Sequence, residues 1–174
     1  SNGSYRVTMS VPLYGAGKSI SAAILPALRE NKEPAPLPAP VSPAPATIKE
    51  IQDRAKSGTN YTGVIVDAGD MGLMPSFSPV IYDTNGRAIY GVQNINYDSA
   101  ISQGMVGYAK NVASAMHLSR VGSTPLVVKA VQVRGGRNSV NPVNVVVSVE
   151  DANRILLANE KSGMLQGGSV VFVR

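Results

Sequence analysis

Gly15-Ala16-Gly17-Lys18-Ser19 has the residue types of a phosphate-cradling loop: glycines that let backbone N–H groups converge, a lysine for the charge, and a hydroxyl. Val64-Ile65-Val66-Asp67 would supply the apolar strand and terminal carboxylate that hold magnesium opposite such a loop. The spacing is incomplete. The loop needs a glycine five positions before Gly17, and that position is Pro12, which has no N–H to donate. Pro26 then shortens the helix whose N-terminus would face the anion. Binding of a small anion or nucleotide by the turn from Gly15 to Ser19, or by the loop from Gly135 to Pro142, therefore stands as the alternative function.

His117 is the only histidine and there is no cysteine, so nucleophilic or thiolate chemistry has little to build on. Neither a G-x-S-x-G elbow nor an H-E-x-x-H pair occurs. Asp67, Asp70 and Asp83 are hard oxygen donors, but their spacing fits no calcium loop, and they sit at turns that recruit Asp for local hydrogen bonds. Lys129, Arg134 and Arg137 form a basic cluster beside a glycine-rich loop and are the candidate contacts for an anion or an acidic partner. With two Phe and no Trp, an RNA-binding aromatic signature is absent. The expectation is no catalytic residue, no metal site, no cofactor and no nucleic-acid partner.

Elements of several kinds would have to position these groups. Tyr5, Val7, Met9 and Val11 alternate with Arg6, Thr8 and Ser10, which predicts a half-buried strand ended by Pro12, followed by a bend and a short helix near Ile20 to Leu28. From Glu33 to Ala46 the chain reads EPAPLPAPVSPAPA, whose six prolines predict a semi-rigid linker with polyproline II character. Thr47 to Glu50 has capping-box spacing, and Gly58 would end the helix that follows. Tyr61 to Asp67 reads as a strand buried on both faces. The pair Pro79 to Asp83 and Arg87 to Tyr90 flanks Asn85-Gly86, a tight-hairpin signature. Asp98 or Ser99 would cap one helix carrying Ile101, Met105, Tyr108, Ala109, Val112 and Met116 toward the core, with Gly104 and Gly107 weakening it. Leu126 to Arg134 and Val143 to Val149 predict neighbouring strands. Ser148 caps a helix that Gly163 ends, and Ser169 to Val173 is a last strand.

The sum is an α+β fold: a mixed or antiparallel sheet with two or three helices, plus an N-terminal strand-turn-helix piece joined by the proline-rich stretch. Residues 1–32 form a separable piece, 33–46 the linker and 47–174 the main domain. The 174 residues are 44% hydrophobic and 16% charged, enough for one compact domain or two small ones, and the net charge of +5 is spread along the chain. No run approaches eighteen apolar residues, so no membrane-spanning helix is expected, and the opening Ser1-Asn2-Gly3 is not that of a signal peptide.

Three stretches carry a family likeness: Gly3-Ser4-Tyr5-Arg6-Val7-Thr8-Met9-Ser10-Val11-Pro12-Leu13-Tyr14-Gly15, then Tyr61-Thr62-Gly63-Val64-Ile65-Val66-Asp67-Ala68, then Pro79-Val80-Ile81-Tyr82-Asp83 with Gly86 and Ile89-Tyr90-Gly91. In these the chain resembles bacterial envelope lipoproteins related to the flagellar basal-disk protein FlgP. The resemblance implies that residues 1–32 are the tail of a preceding small α+β domain. It also implies a non-catalytic structural module of the cell envelope, periplasmic or associated with the outer membrane, that assembles with itself or with other envelope proteins. Any membrane attachment would run through a lipidated cysteine that this chain lacks. Where the family often has Ala-Arg-Gly after the Asp, this chain has Ala68-Gly69-Asp70, so no role passes to that basic residue.

Overall fold

The computed structural model describes all residues except 1, 2, 4, 30, 137 and 138, with Ser139 described by its backbone alone. Its centre is a seven-stranded mixed sheet in the order β3-β2-β6-β5-β1-β7-β4. The strands are β1 (Gly63–Asp67), β2 (Ile81–Asp83), β3 (Ala88–Tyr90), β4 (Gly107–Ala109), β5 (Pro125–Gly136), β6 (Ser139–Val147) and β7 (Val170–Val173). β1 runs parallel to both β5 and β7, β4 is parallel to β7, and β2 is parallel to β6. The two antiparallel pairs, β2 with β3 and β5 with β6, are hairpins. Five helices complete the described fold: α1 (Ile20–Leu28), α2 (Pro45–Ser57), α3 (Tyr97–Gln103), α4 (Val112–Met116) and α5 (Val149–Ser162). The architecture is α+β, as the alternating periodicities predict.

β1 is buried on both sides because the sheet has two cores. Val64 and Val66 pack with Ile51 of α2 and with Ala152, Ile155 and Leu156 of α5, whereas Ile65 packs with Ala115 of α4 and Val121 on the other face. Its continuous β-branched run is what such a position requires. Gly63 opens the strand where a single 3-10 turn, Ser119–Val121, crosses it: a Cβ there would lie 2.7 Å from the backbone of Val121. The hairpin at Asn85-Gly86 forms as predicted. Gly86 takes φ +80°, and Asp83, almost fully buried, accepts the N–H groups of Asn85 and Arg87 and the Arg87 Nε at 2.9 Å.

Three expectations fail. α2 begins at Pro45 behind Ala44, so Thr47 lies inside the helix and does not cap it; its hydroxyl donates to Glu150 instead. The single helix predicted beyond Asp98 is three elements, because Gly104 ends α3 at φ +77° and the chain then extends into edge strand β4 before Asn111 caps α4. Apolar spacing there matched a helix, yet Tyr108 and Ala109 are strand residues beside β7. Residues 5–11, predicted as a half-buried strand, have no regular structure and lie exposed. Alternation decides which side chains would share a face, but a strand also needs an edge to pair with.

The proline-rich stretch lies against the body. Ala35 N–H donates to Gln93 O at 2.6 Å, Arg87 reaches Ala39 O, and Asn153 of α5 bonds the backbone of Val41. Ahead of it, α1 packs on α3, and Arg29, only 2% exposed, donates to the carbonyls of Val92, Ile95, Asn31 and Lys32.

Candidate functional site

Two of the basic residues singled out from sequence, Lys129 and Arg134, fall on β5. Leu126, Val128 and Ala130 point into the core, and a bulge between Ala130 and Gln132 returns Val133 to the same side. The consequence is that Lys129 and Arg134, of opposite parity in sequence, share the outer face. There Arg134 stacks over the Tyr82 ring at 4.0 Å. Lys129 borders a shallow depression of about 310 Å³ with Asp67, Asp70 and Met71. Arg137 lies outside the described residues. α4 and the 3-10 turn cover this face of the sheet over β1 and β7, while Val127 and Val131 of β5 stay exposed.

The phosphate-loop alternative meets committed donors. The Gly15 N–H goes to Ile101 O at 2.8 Å, Ser19 N–H to Gly17 O, and Ile20 N–H to Pro12 O. Ser19 is the N-cap of α1: its hydroxyl donates to Gly15 O at 2.5 Å and accepts from Ala22 N–H at 3.1 Å. Two of the turn's N–H groups and its hydroxyl are thus spent within the chain rather than open to an anion. The glycine-rich loop near residue 136 is also narrower than predicted, since β5 extends to Gly136 and β6 begins at Ser139.

The three aspartates do not converge. Asp67 and Asp70 share the depression beside Lys129, whereas Asp83 is spent inside the β2–β3 hairpin. Asp67 accepts from Gly69 N–H at 3.0 Å in a local turn. His117 caps the C-terminus of α4, and neither it nor Lys18 borders that depression. Among the described residues no group of three His, Cys, Asp or Glu could hold a metal ion, and no helix is long and apolar enough to cross a membrane.

Sequence reasoning missed an aromatic groove of about 290 Å³ formed by Leu13, Tyr14, Pro75, Ser76, Phe77 and Tyr108. Tyr14 and Phe77 stack at 6.4 Å, and Tyr108 stands edge-on to Phe172 at 6.0 Å. The Tyr108 hydroxyl accepts from Ser76 N–H at 3.0 Å, and burial raises its pKa. The groove joins residues far apart in sequence, so no local motif announces it. From its rim the chain runs outward through residues that put five apolar side chains in water at every second position, from 48% exposed at Leu13 to 95% at Tyr5. Exposed apolar rows of this kind mark contact surfaces.

Residues 63–174 match the family model described as Treponema pallidum Tp0624, second domain, which covers more than half of the chain and starts at the first residue of β1. No curated protein matches the chain significantly.

Proposed function

The chain belongs to the family of the second domain of Treponema pallidum Tp0624, and from that premise we propose that it is a non-catalytic interaction module of a bacterial cell-envelope protein. In this reading it works by binding copies of itself or neighbouring envelope proteins. The observation that carries it is the row Tyr5, Val7, Met9, Val11 and Leu13, apolar at every second position and exposed along its length. A segment patterned for a sheet but left without one is suited to adding a strand to another chain's edge. The donors committed inside the turn at Gly15 to Ser19 favour this reading over anion binding. The resemblance of three sequence stretches to FlgP-related lipoproteins is what suggests the envelope setting.

Light scattering across a hundredfold concentration range tests the reading. The chain is expected to gain mass as concentration rises, and Val7→Ser with Met9→Ser to stay monomeric with an unchanged melting temperature. Equal masses for both proteins at every concentration would refute self-association through this segment.

A further inference from the structure

Residues 33–43 lie on the body as a peptide lies on a receptor. We propose that the body carries a groove that recognises a proline-rich extended segment, filled in cis by the chain's own residues 33–43 and open to the same segment of a second copy. The groove is separate from residues 5–13, so it stands or falls independently of the association proposed above.

Proline removes N–H donors and leaves carbonyls unspent, so a partner must recognise such a segment with side-chain donors. The body supplies them at intervals. Asn94 Nδ2 donates to the carbonyls of Ala35 and Pro36 at 3.2 and 3.4 Å, and Arg87 Nη1 donates to Ala39 O at 2.5 Å. Asn153 Nδ2 donates to Val41 O at 2.9 Å, while its Oδ1 accepts the Val41 N–H at 2.8 Å. The Ala35 N–H is taken by Gln93 O. Asn153 is the centre of the set. It is 1% exposed in the middle of α5, a place where Asn is unfavourable, and the partners its amide has there are on the docked segment. A bidentate amide of this kind reads extended backbone without reading side chains. Leu37 supplies an apolar anchor, packed against the main core.

Two features favour exchange with a second copy. First, the cis fit is loose. A cavity of about 740 Å³ lies between Leu37 to Pro40 and the body residues Leu156 and Gln166. Gln166 Oε1 and Arg87 Nη2 are buried along this seam without a hydrogen-bond partner. Second, the turn that folds the segment back onto α2 is strained. Ser42 has φ +46°, the one positive value for a non-glycine among the described residues, although Pro43 after it favours extended backbone. Straightening a strained hinge is the usual route to exchange of a segment between copies.

The test uses the full chain with residues 34–41 replaced by Gly and Ser at equal length, and a fluorescent synthetic peptide of residues 32–44 as the probe. Saturable binding to this variant is expected. Binding should be at least tenfold weaker to the unaltered chain, where the tethered segment competes, and should be lost when Asn153→Ala is added. No binding, or binding unaffected by Asn153→Ala, would overturn the proposal. Should the replaced chain fail to fold, hydrogen exchange in the otherwise intact chain decides. Asn153→Ala should speed exchange at the Ala35 and Val41 amides at least tenfold while β1 and β7 stay protected. Unchanged rates at Val41 would overturn the proposal.

Discussion

Glu50 is pulled in two directions. Burial against α5 works against its charge, but the Tyr61 hydroxyl at 2.5 Å and the two-pronged contact with Arg154 outweigh that and hold the carboxyl below its ordinary value of 4.5. Because the folded state binds the proton less readily than the unfolded one, the contribution is fully present above about pH 4.5 and is lost as pH falls through the folded value. Glu50→Gln should therefore cost about 1 kcal/mol near pH 7, a modest figure because the carboxylate is partly exposed. Denaturant titrations should also show a flatter loss of stability between pH 5 and pH 3 (roughly the window in which carboxylates titrate). An unchanged acid limb would show that the contact between α2 and α5 rests on Ile51 and its neighbours alone. Neither this pair nor Arg120, which is half-buried and bonded to the carbonyls of Gly104 and Gly168, could be read from sequence. Burial lowers the pKa of Arg120, and its carbonyl partners come from two distant turns.

Glycines decide where elements end, and two of them do so for different reasons. At Gly104 the backbone has φ +77°, and a Cβ would meet the Tyr14 ring at 2.4 Å, but a ring can swing aside. At Gly63 the obstacles are the backbone of Val121 and Ser169 O, which cannot move without shifting β1 or β7. Gly63→Ala should thus cost about 3 kcal/mol and Gly104→Ala about 2 kcal/mol, an order that thermal melts of the two variants would check. The same contrast bounds what a sequence can show at this scale. The C-terminus of α2 and both ends of α5 were legible because Gly58, Ser148 and Gly163 act locally, and the β2–β3 hairpin was legible because Asn85-Gly86 is a local turn signal. The break between α3 and α4 was not legible, because β4 exists only by pairing with β7, more than sixty residues later. The candidate site divides likewise. Lys129 and Arg134 were legible as charges, but their shared face depends on a bulge, and the aromatic groove depends on two separate loops meeting edge strand β4.

At the scale of the whole molecule, the family match begins at β1, yet residues before it are tied into the same body. Arg29 is the principal tie. Its guanidinium is buried, and its Nη1 serves both Ile95 O and Val92 O, the latter at 3.3 Å, where the chain turns toward α3. Burial lowers its pKa, as expected for a cation whose acceptors are carbonyls. Truncation would strand buried carbonyls and free α1 and the proline-rich stretch together. Arg29→Ala is expected to cost about 2 kcal/mol and to lower a single melting transition by about 4–8 °C, because a group that fastens one cooperative unit weakens all of it. Arg29→Lys should recover little, since an ammonium cannot span carbonyls that a planar fork reaches. The contrary outcome is equally clear. If residues 14–46 open independently of the sheet, protease should cut the Arg29→Ala variant between residues 29 and 45 while the melt of the remainder stays where it was. That result would make the N-terminal third a separable piece held on by its contacts, and would leave residues 63–174 as the folding unit of the family.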